Sequence, residues 1–357
     1  MEYFKKFVSN TLAGSSNQSY FYSDNTAQIG RTFYKIFAGG KYDYSFMFTN
    51  IIDSTYADGS HSKANIQCPN WTLNYAKVMV ASGDEKDLTS CEFKSEHQLT
   101  FNKKISKEVI SGEIFYSDSV NIECDKNDYI CLEISFSGTE IPYFEEIIIP
   151  TYRQIEGKWV NSNKTPLACL VGCDRQVEKK IGFLGDSITE GIGVGNNSYD
   201  HWNAKIAEMI GEKYSYWNLG IGFGRAADAS SNGIWLEKAK KMDVVTICFG
   251  VNDIGRGYSS TEIKCNLESI VRILQDNKVR TILFTVPPFD YDEKNKEKWQ
   301  IVNSYILNEM SKITEIYDAA KIWGDKAPNE ERAIYGGHPN AQGSLIMAED
   351  FVKNIKL

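Results

Sequence analysis

The sequence predicts an α/β protein in two parts: an antiparallel β-sandwich, jelly-roll-like, followed by a unit built on a parallel sheet. Three observations predict this. The chain has 357 residues, long for one domain and ample for two. Up to about residue 150 it reads as short β-branched and aromatic runs broken by turn residues, with no long helical periodicity. From about residue 178, compact apolar runs alternate with helix-like stretches, the pattern of βαβ units.

In the first part the strand-like runs are RTFYKIFAGG, YDYSFMFTNII, WTLNYAKVMVAS, EVISGEIFYSDSVNIE and DYICLEISFSG, several of them alternating polar and apolar. Many short strands at roughly even spacing suit a sandwich. Residues 151–177, TYRQIEGKWVNSNKTPLACLVGCDRQV, read as an extended linker packing on one of the domains. The expected boundaries are therefore 1–160 for the first domain and 178–357 for the second. In the second part KIGFLGDS, KYSYWNLG, DVVTICFGVND and VRTILFTVPP read as strands. DHWNAKIAEMIGE, NGIWLEKAKK, STEIKCNLESIVRILQDN and EKWQIVNSYILNEMSKI read as helices. In the third of these, Ser260 is a fair cap, and Ile263, Leu267, Ile270, Ile273 and Leu274 form one buried face.

Composition narrows the class. Apolar residues make up 42% and charged residues 24%, as in a soluble globular protein. A net charge of −8 argues against a nucleic-acid backbone or an anionic membrane as partner. No apolar run is long enough for an export signal or a membrane span, so a cytoplasmic location is expected. The eight cysteines are then expected as reduced thiols; Cys169 and Cys173 lack a second pair at zinc spacing, and no metal site is expected. Tyr42, Tyr44, Trp71 and Trp159 suit either core packing or sugar stacking, with packing the commoner use.

Ligands of an open α/β sheet bind beyond the carboxyl ends of its strands, which directs attention to four short segments. In Gly185-Asp186-Ser187 the serine is either an ordinary helix cap or a nucleophile whose amide also faces the site. Asn218-Leu-Gly-Ile-Gly-Phe-Gly224 brings closely spaced glycines that let backbone amides approach a ligand. Gly250-Val-Asn252-Asp253 offers a side-chain amide donor or a turn. His338, one of four histidines, precedes the closing helix, where a base can reach a serine on the first strand; the alternative is a surface loop residue. His61, His97 and His201 are weaker candidates, although Tyr199, His201 and Trp202 follow the serine closely enough to line a pocket. GDSITEGIGVG carries no Gly-Lys-Ser/Thr, so a phosphate-binding loop is excluded.

These four blocks, in this order and each after a strand, resemble the SGNH hydrolases, also called GDSL esterases. The resemblance covers residues 178–357. The first half is similar to the β-sandwich that precedes this domain in some two-domain carbohydrate deacetylases. The resemblance implies a three-layer α/β/α fold, no cofactor, and hydrolysis of a small-molecule or carbohydrate ester. It implies Ser187 as nucleophile, His338 as base, and an oxyanion hole from the Ser187 amide, a glycine amide and Asn252. Asp186 and Asp253, in the same blocks, are candidate supporting residues.

Two positions depart from the family. Its oxyanion glycine stands five residues after the Asn, where this chain has Phe223. Gly222 is the preferred substitute and Gly224 the alternative. Its Asp three residues before the histidine is here Tyr335, which cannot supply a carboxylate charge. Either Ser187 and His338 work as a dyad or an acid arrives from elsewhere, with Asp318, Asp325, Glu330 and Glu331 nearest in sequence. The expected activity is removal of short acyl groups, acetyl first, from a carbohydrate. The alternatives are a catalytically weak carbohydrate-binding protein and an acyltransferase on the same scaffold.

Overall fold

The computed structural model describes residues 2–12, 18–22, 25–54, 64–144, 148–195, 198–323 and 332–357. The chain forms two compact units: Met1–Ile52 with Ile66–Val177, and Asp53–Asn65 with Glu178–Leu357.

The first unit is built on two antiparallel sheets. A five-stranded sheet centres on Gly40–Thr49, which pairs with Leu170–Cys173, Ile114–Tyr116 and Val120–Cys124. A seven-stranded sheet centres on Tyr129–Ser137 between Gln28–Lys35 and Trp71–Ala81. Tyr44, Phe46 and Phe48 of the first sheet and Tyr34, Val78, Leu132 and Phe136 of the second meet in one buried cluster, which makes the pair a sandwich. Tyr44 and Trp71 belong to this core, Tyr42 packs against it, and the Arg31 guanidinium lies 4.1 Å from the centre of the Trp159 ring.

The linker expected over 151–177 is instead part of this sandwich. Thr151–Ile155 pairs with Gln28–Lys35 and with Lys158–Asn161, and Leu170–Cys173 pairs with Gly40–Thr49. Thr151–Ile155 and Lys158–Asn161 pair locally, whereas the partners Gln28–Lys35 and Gly40–Thr49 lie more than 100 residues earlier in the chain. Local pattern does not report such pairing, and Thr151–Ile155 and Lys158–Asn161 are largely solvent-facing.

The second unit holds a five-stranded, wholly parallel sheet. Across the sheet the order is Tyr214–Gly220, Lys179–Gly185, Val244–Cys248, Arg280–Phe284, Glu315–Tyr317. Helices Trp202–Ile210 and Ala341–Asn354 pack together, while Ala226–Ser230, Ser260–Asp276 and Glu293–Asn308 form a second group. In chain order the sheet reads 2-1-3-4-5, so connections leave the neighbouring first and third strands in opposite directions. The crevice beyond their carboxyl ends is the expected ligand site. Gly185-Asp186-Ser187 and Gly250-Val-Asn252-Asp253 both lie there.

Local chemistry sets the helix ends. The helix Ser260–Asp276 is capped one residue earlier than Ser260: the Ser259 hydroxyl accepts the Glu262 N–H, and Glu262 accepts the Ser259 N–H in return. Its buried face uses Val271 where Ile273 is expected; Ile273 is only half-buried.

One element of the second unit comes from far earlier in the chain. At Asp53 the chain enters this unit, and it leaves after Asn65. The Asp53 carboxylate accepts two hydrogen bonds from Lys238 Nζ, at 2.7 and 3.0 Å, and both side chains are at most 1% exposed. Ser54 Oγ donates to Asp228 at 2.7 Å, and Asn65 Oδ1 accepts the Ile234 N–H at 2.9 Å. A buried ammonium left without its carboxylate is costly. Asp53→Ala should destabilise this unit by about 3–5 kcal/mol, and the double change Asp53→Leu with Lys238→Met should recover most of the loss. Urea unfolding followed by tryptophan fluorescence measures both; equal midpoints for wild type and Asp53→Ala would refute the role of the pair.

Candidate active site

The strand Lys179–Gly185 is buried through its last five residues and delivers Asp186 and Ser187 to the end of the sheet. Asp186, not Ser187, caps the short helix Ser187–Glu190: its Oδ1 accepts the Ile188 N–H at 3.0 Å. The serine hydroxyl is therefore not used for capping. Its Oγ lies 2.8 Å from His338 Nε2, and Ser187 is 7% exposed.

His338 is placed by the loop before the last helix. The pair His338–Pro339 runs antiparallel to Ala333–Ile334, and Asn340 then caps Ala341–Asn354 by accepting the Gly343 N–H at 2.9 Å. Gly193, at φ +108°, lies against this loop; a Cβ there would sit 2.6 Å from the Pro339 carbonyl oxygen. The Phe289 ring meets the histidine ring edge to face at 5.3 Å. Phe289 was not among the sequence candidates. Its signal was the Pro-Pro segment closing the fourth parallel strand, at the end of the sheet where ligands bind.

The second and third blocks are tied to the first. Asn218 Nδ2 donates to the Glu190 carbonyl at 3.0 Å, and the Ile221 N–H donates to the Gly185 carbonyl at 3.1 Å. The Gly224 N–H is consumed within its own turn, donating to the Ile221 carbonyl at 3.0 Å. The amides of Ser187 and Gly222 have no acceptor among the described residues. Between the two glycines, Phe223 takes a left-handed backbone with φ +58°, at a cost of roughly 1–2 kcal/mol for a side-chain-bearing residue. Asn252 Nδ2 donates to the Gly224 carbonyl at 2.9 Å, which ties the second and third blocks. Asp253 braces the same region by accepting the amides of Ala226 and Ala227 at 3.0 and 3.3 Å.

Asp186 and Asp253 are both fully buried. Burial pushes the Asp186 carboxyl up to about 8, with the Asp253 charge adding and the Ile188 amide pulling it back. Burial likewise raises Asp253 to about 6, against the pull of the Ala226 and Ala227 amides. Burial, and then the charges of Asp186 and Asp253, hold the Tyr291 phenol well above its usual range, so it stays protonated beside them.

The other sequence candidates fall elsewhere. Tyr199, His201 and Trp202 are buried, and Trp202 Nε1 donates to the Ile188 carbonyl at 2.9 Å. Burial lowers His201 to about 3, so its imidazole is neutral at ordinary pH. Asp318 accepts from Thr285 Oγ1 at 2.9 Å, while His61, Asp325, Glu330 and Glu331 lie outside the described residues. All eight cysteines are free thiols. No cluster of metal-ligating side chains occurs among the described residues, and none of their helices is long and apolar enough to cross a membrane.

This parallel-sheet unit carries a serine at its switch point, hydrogen-bonded to a histidine before the last helix. Residues 183–346 match the family model of the GDSL-like lipases/acylhydrolases, which supports a carboxylic-ester hydrolase of the SGNH type. A comparison with curated proteins gave no match. Among solved structures, this chain is similar to a G-D-S-L family lipolytic protein of Desulfitobacterium hafniense DCB-2. The identity is 21%, with 49% of this chain and 99% of that chain covered and a TM-score of 0.43. It is also similar to an acetyl xylan esterase, at 18% identity over 50% of this chain and 100% of that chain, with a TM-score of 0.39. A mutant acetyl-xylooligosaccharide esterase from Geobacillus Stearmophilus matches at 20% identity over 51% and 96%, with a TM-score of 0.40.

The raised carboxyls make stability depend on pH. A carboxyl raised in the fold binds more protons there than in the unfolded chain. The stability it contributes is full below the ordinary carboxylate value of about 4 and is lost as pH rises through the folded value. For Asp186 that window ends near 8, and for Asp253 near 6. Asp186→Asn keeps a capping side chain but cannot ionise, so it should flatten the fall in Tm between pH 5 and 8. Thermal melts across that range check it, and an unchanged slope would show that Asp186 does not titrate there.

Proposed function

We propose that the second unit is a serine esterase that removes short acyl groups, acetyl first, from a carbohydrate. The observation that carries this reading is the 2.8 Å contact between Ser187 Oγ and His338 Nε2. Ser187 attacks the ester carbonyl as His338 takes its proton, forming a bond from Oγ to the acyl carbon. His338 then protonates the departing alcohol oxygen. Water, deprotonated by His338, attacks the acyl carbon, the bond to Ser187 Oγ breaks, and His338 returns the proton to Oγ as the acid leaves. No step requires a cofactor.

The oxyanion is held by the amides of Ser187 and Gly222, which are not otherwise bonded among the described residues, and by Asn252. Gly224 is the poorer donor because its N–H already closes a turn. Position 335, where the family places its acid, is Tyr335, so the motif itself brings no carboxylate to the imidazolium. Asp186 and Asp253 act as supports, through the helix cap and the paired amides.

A short acyl group suits a nucleophile that is only 7% exposed. The carbohydrate alcohol follows from the resemblance to two-domain deacetylases, in which a β-sandwich precedes this domain. Eight free thiols, most of them buried, support a reducing, cytoplasmic location.

Ser187→Ala should lower p-nitrophenyl acetate turnover roughly 10⁴-fold or more and abolish labelling by a fluorophosphonate. A wild-type protein that fails to label would instead be a binding protein on the esterase scaffold. Asn252→Ala should lower kcat by roughly 10²–10³-fold with little change in KM, as read from steady-state kinetics.

A further inference from the structure

We propose that Phe223, with the guanidinium of Arg256, forms a platform for the sugar ring of the departing alcohol, which makes Phe223 a specificity-determining residue. This inference rests on the carbohydrate-ester reading above. Phe223 is unusual in two independent ways. It holds a left-handed backbone, φ +58°, which bulky residues rarely adopt, and its side chain is still 39% exposed. Backbone strain of this kind concentrates at ligand sites.

Its neighbours tie its loop to the first and third blocks. Phe223 stands between Gly222 and Gly224, on the loop whose Ile221 N–H bonds the Gly185 carbonyl, two residues before Ser187. Gly224 accepts from the Asn252 side chain, and the Arg256 N–H donates to the Asn252 carbonyl at 2.8 Å. Phe223 and Arg256 thus flank the proposed oxyanion donor from two loops. The exposed Arg256 side chain closes over the ring, its guanidinium carbon 5.9 Å from the ring centre.

The chemistry of the pair selects the occupant. An aromatic face offers an apolar surface to the C–H face of a pyranose, and a guanidinium offers a planar set of donors to its hydroxyls. Ser187 is 7% exposed and Phe223 39%, so the solvent-facing ring serves the alcohol side of the ester.

The test compares kcat and KM on p-nitrophenyl acetate and on an acetylated xylo-oligosaccharide. Phe223→Ala should lose at least about tenfold more kcat/KM on the oligosaccharide than on the nitrophenyl ester, mainly through KM, and Phe223→Trp should restore it. Phe223→Gly should show the same selective loss while melting no lower than wild type, because glycine accepts the left-handed backbone freely. Equal losses on both substrates, or none, overturn the platform while leaving the carbohydrate reading intact. A wild-type enzyme that cleaves p-nitrophenyl acetate but not the acetylated oligosaccharide overturns the carbohydrate reading, and the platform with it.

Discussion

The hydrogen bond between Ser187 and His338 joins residues 151 positions apart, and the second unit is arranged so that the serine hydroxyl is not spent on a helix cap. A serine opening a helix would ordinarily spend its hydroxyl on a cap. Here Asp186 accepts the Ile188 amide instead, and the hydroxyl stays available to the imidazole. On the other side, Gly193 lets the backbone of residues 338 and 339 approach closely, and the Phe289 ring meets the histidine ring edge to face. Each device answers one constraint: Ser187 and His338 come from opposite ends of the domain sequence and must still meet within hydrogen-bond distance.

Behind this bond lie two buried carboxyls whose placement serves the neighbouring loops. Asp253 accepts two consecutive amides at the start of Ala226–Ser230, and so steadies the segment that follows the second block. The same segment is held from its other side by Asp228, which binds the Arg225 guanidinium and accepts from Ser54. Ser54 belongs to the excursion that also places Asp53 against Lys238. Burial of charge is unfavourable, and it is tolerated here because each carboxylate accepts two or more hydrogen bonds or, like Asp186, shifts toward its neutral form.

Much of the fold was legible in sequence because its signals are local. The apolar run ending at Gly185 and the spacing of Ile263, Leu267, Ile270 and Leu274 reported a buried strand and one helix face without reference to distant partners. What was not legible depends on pairing across long separations. The strands Thr151–Ile155 and Leu170–Cys173 read as a linker because their partners lie at Gln28–Lys35 and Gly40–Thr49. The excursion Asp53–Asn65 carries no sign in its own residues that Asp53 will meet Lys238.

The site divides in the same way. The sequence by itself determined which residue types the chemistry could draw on: Ser187, Asn252 and His338, each in a short block after a strand, where turn residues and polar side chains stand out against apolar runs. Only the tertiary structure decided their relations. It gave the cap to Asp186 rather than Ser187, used the Gly224 amide in a turn while leaving that of Gly222 unbonded among the described residues, and turned Tyr199, His201 and Trp202 into packing. The physical reason is that a side chain's chemistry is intrinsic to its residue. Whether its hydrogen-bonding capacity is spent or available, and whether it is buried or open to water, depends on what the fold brings against it.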